Sequence, residues 1–389
     1  MKSGNSKYDY VSFSELQFRY DPQKLVENAA NWKMIETERV DNYDVLNFRR
    51  NYDQTHPFPE DALSNDNSLS CGERILHLLS NDHFRSGDIS FIEESRDVFL
   101  KVINAAVSNE NPVEIIIPSF PGREVNPIAR TRPQLHLGEV ASVCRLAQLA
   151  ELSRKIYSPG VVFIIVTDGV AYSPFYGDPL EGARNYQNAL KALVNKLGCG
   201  EYIHLEDLAD IIDKRRKEFD EVYKQTEEEI KAVWKDEHYT FRNELEYTMR
   251  MGTQSAALNA AAVHLVKFMH NSTDQESLNY LRSMQDAIRQ RATETSYVYQ
   301  CLLVTLRKMD LLGKYFPNAI RGTVHAKNGQ YAPHLVNKQT NVSPWHGMPV
   351  QRKNGRIDIV LEAEVLSSPD QFVAVYVNGE VMPFFYREK

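Results

Sequence analysis

Between residues 113 and 178 the apolar positions change rhythm twice, and each change predicts an element. Ile115-Ile116-Ile117 is a continuous β-branched run closed by Pro118-Ser119-Phe120-Pro121-Gly122, the pattern of a strand buried on both faces. From Gly138 to Tyr157, Val140, Val143, Leu146, Ala147, Leu149, Ala150, Leu152 and Ile156 recur at helical spacing and predict an amphipathic helix stopped by Pro159-Gly160. Val161 to Val166 is a second strand, ending in Thr167-Asp168-Gly169. A β-α-β crossover of this kind makes the strands parallel, so the loops at their carboxyl ends open on one edge of the sheet, where open α/β folds bind ligands. A third strand, Tyr202 to Leu205, is expected to end nearby at Glu206 and Asp207.

The same pattern divides the rest of the chain. Residues 1–70 show little periodicity and predict an extension that packs as an arm or stays partly mobile. Ile75, Leu76, Leu78 and Leu79, then Val98, Phe99, Val102 and Ile103, predict two helices before the first strand. Glu181 to Leu197 is amphipathic, and Leu205 to Asp310 reads as three or four helices, of which Asp210 to Asp236 is densely charged, a solvated face or a coiled-coil partner site. From Ile320 onward come short β-like runs, Gly322 to His325, Gln330 to Val336, Ile357 to Leu361 and Phe372 to Val377, with hairpin signals at Asn328-Gly329 and Asn354-Gly355. The expected fold is α/β, with a modified Rossmann-like, mostly parallel sheet core, a helical section and a small antiparallel C-terminal unit. Its expected parts are an extension (1–70), the α/β domain with its helical section (71–315) and the β-rich unit (316–389).

Composition narrows the function. The 389-residue chain carries a formal net charge of -7 at pH 7, which argues against nucleic acid as a partner. No apolar run approaches the roughly 20 residues that span a bilayer. The four cysteines, Cys71, Cys144, Cys199 and Cys301, are widely spaced, as expected of reduced thiols in the cytoplasm. The one basic concentration is the loop after the first strand, with Arg123, Arg130 and Arg132, a candidate anion clamp because guanidinium offers bidentate donors to phosphate. Asp168, at the tip of the second strand, is a candidate for an ammonium group or a general base, and Glu139 either answers the helix dipole or takes part in catalysis. His325, His334 and His346 lack metal-ligand spacing, so no metal is expected; His325 and His346 are read as hydrogen-bonding or proton-transferring groups. Trp345 serves as a packing anchor or a stacking surface for an aromatic substrate.

Several ordered pieces resemble the pyoverdine/dityrosine biosynthesis family, which contains the isonitrile (isocyanide) synthases. They are Pro118-Ser119-Phe120-Pro121-Gly122-Arg123-Glu124-Val125-Asn126-Pro127, Leu137-Gly138-Glu139, Ile156-Tyr157-Ser158-Pro159-Gly160, Thr167-Asp168-Gly169, Arg321-Gly322-Thr323-Val324-His325 and Ser343-Pro344-Trp345-His346-Gly347. The resemblance implies a Rossmann-type domain with a smaller C-terminal domain, no cofactor, and a reaction joining the amine of an L-amino acid, tyrosine or tryptophan, to the keto carbon of ribulose 5-phosphate. It implies substrate binding by Arg123, Arg130, Arg132, Ser119, Asn126, Arg321 and Trp345, catalysis by Asp168, His325, His346 and Glu139, and an iron/2-oxoglutarate oxygenase as a downstream partner. The chain departs from the family's Phe-Pro-x-Lys-Ser loop at Arg123 and Glu124, and has Ser173-Pro174-Phe175 where relatives carry an acid. Arginine cannot form a Schiff base. Two neighbouring readings stay open at this point: an N-formyl amino-acid enzyme of the dityrosine type, and a divergent member acting only as a binding partner. A nucleotide- or methyl-donor-dependent transferase would need a glycine-rich turn after a strand, and no GxGxxG or GxxxxGK[ST] is present.

Overall fold

The computed structural model describes residues 35–64, 66–122, 135–176, 180–233, 300–324, 327–340, 342–360, 364–365, 368–377 and 383–389, with isolated helical positions between 275 and 298. Two sheets organise these residues. The first is parallel, in the order β4 (Ile203–Asp207), β3 (Val161–Thr167), β2 (Val113–Pro118), β5 (Ile320–Arg321). Ile115, Ile116, Ile117 and every residue of β3 are buried, as two-sided strands require. The second sheet is mixed, in the order β1 (Glu36–Val40), β8 (Phe372–Val377), β9 (Phe385–Glu388), β6 (Met348–Gln351), β7 (Ile357–Val360).

Three differences from the sequence reading matter for the site. The run expected to open the C-terminal unit instead supplies β5, which pairs with β2 in the parallel sheet through Ile115–Ile320 and Ile116–Arg321. The C-terminal sheet is mixed rather than antiparallel, because β1 joins β8 and β6 joins β9 in parallel. The hairpin signal at Asn354-Gly355 does join antiparallel β6 and β7, with Gly355 in the left-handed region at φ 83°. Residues 36–62 are built into the fold: β1 extends the mixed sheet, and helices α1 (Val45–Arg50) and α2 (Tyr52–Thr55) bury Val45 and Tyr52 in the main core. Tyr52 stacks on His56 with ring centroids 4.3 Å apart.

Helices α3 (Cys71–Ser80), α4 (Ser90–Glu93) and α5 (Arg96–Ser108) precede β2, and α3 starts in a capping box between Ser70 and Glu73. Helix α6 (Leu137–Arg154) follows β2, and α7 (Gly169–Tyr176) and α8 (Leu180–Lys196) follow β3. The core around α6 and α8 lies on one face of the parallel sheet. A second core, with Ile116, Ile164 and Val166, joins α9 (Leu208–Asp213), part of α10 (Arg216–Val233) and α11 (Leu311–Tyr315) on the other. The charged stretch expected to be one helix is two, because Asp207 caps α9 by accepting from Ala209 N–H at 2.8 Å and the chain turns again before Arg216.

Helix α6 was expected to show one polar face to solvent. Every residue from Leu137 to Ala150 is buried instead, because α6 is packed between β3 and β4 on one side and β6, β7 and the 3-10 turn Pro344–His346 on the other. Its polar residues Glu139, Ser142, Arg145 and Gln148 are therefore interior groups that need partners. Among the described residues no helix is long and apolar enough to cross a membrane.

Candidate functional site at the carboxyl edge of the parallel sheet

Chain order makes the crevice between β2 and β5 the place where the sheet changes direction. From β2 the chain winds outward through β3 to β4, then returns to place β5 on the other side of β2. Open α/β sheets bind ligands at such a switch point, outside the carboxyl ends of the strands. Here those ends are Ser119 to Gly122, Asp168, Asp207 and Arg321 with Gly322.

Backbone packing shapes the crevice. Ser119 N–H donates to Val166 O at 3.1 Å, and Ser119 Oγ donates to Ile117 O at 3.1 Å, so this buried serine is held by its own strand. Phe120 turns the chain at φ 55°, buries its ring and meets Trp345 at a centroid distance of 4.9 Å. Trp345 thus packs under the loop as an anchor. Gly169 lies so close to this loop that a Cβ there would come 1.5 Å from Pro121 O. The Asp168-Gly169 pair is consequently a packing requirement as well as a turn: only glycine lets the β3 end dock against the β2 loop.

Charge is distributed unevenly along the edge. Arg321, opposite Ile116, lies 3.9 Å from Asp310 through Nη1, and that nitrogen is buried without a hydrogen bond. Burial lowers the Arg321 pKa, and Asp310 partly opposes it. Thr167 Oγ1 accepts from Gln187 at 2.8 Å and donates to Glu206 O at 3.2 Å, fixing the β3 and β4 ends together. Beside it, burial raises the Asp207 carboxyl, with Ala209 N–H and Gln187 pulling it back down. Asp207 and half-buried Asp168 end adjacent strands, since Thr167 and Asp207 are register partners.

Behind the loop lies a network centred on a residue that sequence reasoning missed, His136. It caps α6: Gly138 N–H donates to His136 Nδ1 at 3.1 Å, while His136 N–H donates to Glu139 Oε2 at 2.9 Å. Nδ1 also stands 2.6 Å from Glu139 Oε2. Glu139 Oε1 accepts from Tyr186 Oη at 3.0 Å, and His136 Nε2 donates to Gly347 O at 3.0 Å. Glu139 is fully buried, so it does far more than complement a helix dipole. The network links the Leu137-Gly138-Glu139 and Trp345-His346-Gly347 pieces, far apart in sequence. Its signal was the Glu three residues after a cap, with histidine where serine or aspartate is usual.

Arg123, Arg130, Arg132, Asn126 and His325 lie outside the described residues, as does the side chain of His346. His334 is placed away from the edge, where its N–H bonds Phe84 O at 2.7 Å. Among the described residues no group of three or more His, Cys, Asp or Glu could hold a metal ion.

Fold and site together define a class: a Rossmann-like α/β protein with polar side chains along the carboxyl edge of a parallel sheet. A family model described as pyoverdine/dityrosine biosynthesis protein matches residues 103–371, and the chain belongs to that family. It is 24% identical over 304 residues to an L-tyrosine isonitrile synthase of Pseudomonas aeruginosa, covering 76% of this chain and 85% of that protein. It is 25% identical over 285 residues to an L-tyrosine isonitrile synthase of Xenorhabdus nematophila, covering 69% and 77% respectively. With an L-tryptophan isonitrile synthase of Fischerella ambigua it shares 30% identity over 146 residues, 36% of this chain and 44% of that one. The crystal structure of the PvcA protein from Pseudomonas aeruginosa superposes with a TM-score of 0.59 at 20% identity, covering 82% of this chain and 100% of that chain, and so shares its fold.

Proposed function

We propose that this chain is an isonitrile synthase that joins the amine of an L-amino acid, tyrosine or tryptophan, to the keto carbon of ribulose 5-phosphate. The observation that carries the reading is that Arg321, Asp168, Asp207 and the Ser119–Gly122 loop all lie along the carboxyl edge of one parallel sheet, in a chain whose relatives are named isonitrile synthases. The amine must lose a proton before its lone pair attacks the ketone, after which the carbonyl oxygen leaves as water. Asp168 and Asp207 are suited to hold the ammonium and take that proton, Asp207 because burial raises its carboxyl. Arg321 is assigned to the phosphate with Arg123, Arg130 and Arg132, since a sugar phosphate needs charge-assisted donors. Ser119 and Asn126 serve the same pocket through the loop that bears them.

Glu139 and His136 act together. They hold the carbonyl of Gly347, and so position the segment that carries His346, which with His325 is assigned to proton transfer during the shifts that follow attack. Trp345 supports the loop through Phe120. Cys71, Cys144, Cys199 and Cys301 are free thiols, which suits a cytoplasmic setting. An iron/2-oxoglutarate oxygenase is the expected consumer of the product.

Incubation of the purified chain with L-tyrosine or L-tryptophan and ribulose 5-phosphate labelled at the keto carbon tests the reading. Label is expected on the nitrogen-bound carbon of an isonitrile or of its formamide hydrolysis product. Phosphate release with no label on nitrogen-bound carbon would overturn it. Turnover is expected to persist after chelation, and recovery that required added zinc or iron would assign a metal to the histidines.

A further inference from the structure

Two arginines of this chain keep different company. Arg145, in the middle of α6 and 3% exposed, directs its guanidinium at neutral interior groups. Its Nη1 donates to Gln148 Oε1 at 2.9 Å and to His83 Nε2 at 2.8 Å, and burial, followed by the Arg145 charge, pushes the His83 imidazole down to about 4. Arg321 stands at the crevice with its side chain 38% exposed, and its buried Nη1 makes no hydrogen bond. The carboxylate beside it is Asp310, whose Oδ1 lies 3.9 Å from that nitrogen. Such a separation is Coulombic attraction without a hydrogen bond, since charge-assisted N–H···O bonds close to about 2.7–2.9 Å.

Backbone, rather than helix capping, places Asp310 there. It is the cap residue of α11, yet its carboxylate accepts no cap hydrogen bond. Its backbone sits in the left-handed region at φ 44°, a conformation that costs a residue with a Cβ and persists only where its surroundings impose it. The carboxylate lies back over Gly313, where a Cβ would come 2.4 Å from Oδ2 and 2.5 Å from Oδ1, so glycine leaves room for it. Helix α11 is itself fixed by buried Leu311 and Leu312 and by the contact of Tyr315 Oη with Lys214 Nζ. Across the gap, Tyr331 N–H donates to Arg321 O at 2.9 Å and Gly322 N–H to Ile116 O at 2.7 Å. Two fixed backbones thus hold the pair at a distance that offsets the Arg321 charge and leaves its Nη1 donor unfilled.

We infer that Asp310 is the resident counter-ion of Arg321, displaced by the substrate's phosphate on binding and restored when phosphate leaves. This role rests on the assignment of Arg321 to the phosphate. A sugar phosphate offers the guanidinium a hydrogen-bonded dianion in place of a single charge held at a distance, which favours the exchange. The displaced carboxylate, with its side chain 66% exposed, turns to water at little cost. Between turnovers it gives Arg321 a partner and opposes retention of phosphate. Asp310 therefore sets the affinity of the phosphate end of the site and touches no reacting atom.

Calorimetric titration of ribulose 5-phosphate, and of inorganic phosphate, into the full chain and its variants tests this role. Asp310→Asn keeps the side-chain shape, and asparagine tolerates left-handed backbone. The variant is expected to bind both ligands about two- to fivefold more tightly, the size of an exposed ion pair, with affinity for L-tyrosine or L-tryptophan unchanged. A residue needed only for the fold would give no such gain. The gain should vanish in an Arg321→Ala background, and Glu218→Gln, which removes a carboxylate 3.9 Å from Lys314 of the same helix, should not reproduce it. Unchanged or weaker binding by Asp310→Asn, while Arg321→Ala also binds more weakly than the wild type, overturns the role of Asp310 alone. A gain that persists without Arg321, or that Glu218→Gln matches, overturns it as well, since it would report only the general field of the protein. Arg321→Ala binding ribulose 5-phosphate as tightly as the wild type overturns instead the assignment of Arg321 on which the role rests.

Discussion

The start and the middle of α6 place buried charged groups in opposite circumstances. At its start, Glu139 is matched atom by atom: Oε2 by His136, Oε1 by Tyr186, and His136 in turn by Gly347 O. Two turns further on, Arg145 has neutral partners and its own Nε–H left over. Both positions are buried to a similar degree, so burial alone does not decide what a polar residue is for. A closed network holds backbone geometry, here the junction of the β2 loop with the Ser343–Gly347 segment. An open one leaves buried donors unmatched at a cost in stability.

The contrast breaks first at Glu139. Glu139→Ala should cost about 3–5 kcal/mol in chemical denaturation, since it strands His136 and Tyr186 in the interior. Arg145→Met should cost less, because it removes a buried charge that no carboxylate among the described residues pairs with. Gly169→Ala is expected to cost about 1–3 kcal/mol and to abolish turnover, as the new Cβ would drive the β3 end away from Pro121. A variant with unchanged turnover would show that the two strand ends need not touch. Tyr186→Phe leaves Glu139 Oε1 without its donor and should cost about 1–3 kcal/mol.

The surroundings of Arg145 are also pH-sensitive. His56, His83 and His334 have folded pKa values of about 4, below the unfolded value near 6.5, so the unfolded chain binds more protons between these limits. Their contribution to stability is present above about 6.5 and is lost as pH falls toward 4. Melting temperatures at successive pH values should show the decline, and Arg145→Met should make it shallower, because the charge that opposes protonation is gone. The smallest effect is expected at Arg216–Asp213, an exposed pair whose removal should change stability by about 0–1 kcal/mol.

The β-α-β unit was legible because both strands are unbroken β-branched runs and the turn residues between elements are distinctive. Asp168 and Ser119 could be placed at the sheet edge for the same reason. What escaped the sequence depends on distant partners. Strand β5 is only Ile320–Arg321, too short for a pattern, and its assignment to the parallel sheet rests on pairing with Ile115 and Ile116. The pairing of β1 with β8 joins residues near opposite ends of the chain. Arg145 and Gln148 lie in a helix whose apolar spacing suggested a wet face, and only the second sheet, by covering that face, turns them into interior groups. His136 was overlooked because cap signatures are written around serine, threonine and aspartate.

The central claim is that the β2–β5 switch point is the phosphate end of the active site. Calorimetric titration of ribulose 5-phosphate into the wild type and into Arg321→Ala tests it without needing turnover. The account predicts that the variant binds the sugar phosphate about ten- to a hundredfold more weakly, the loss expected for one charge-assisted contact, while affinity for the amino acid is unchanged. Equal affinity of the two proteins for ribulose 5-phosphate would contradict it.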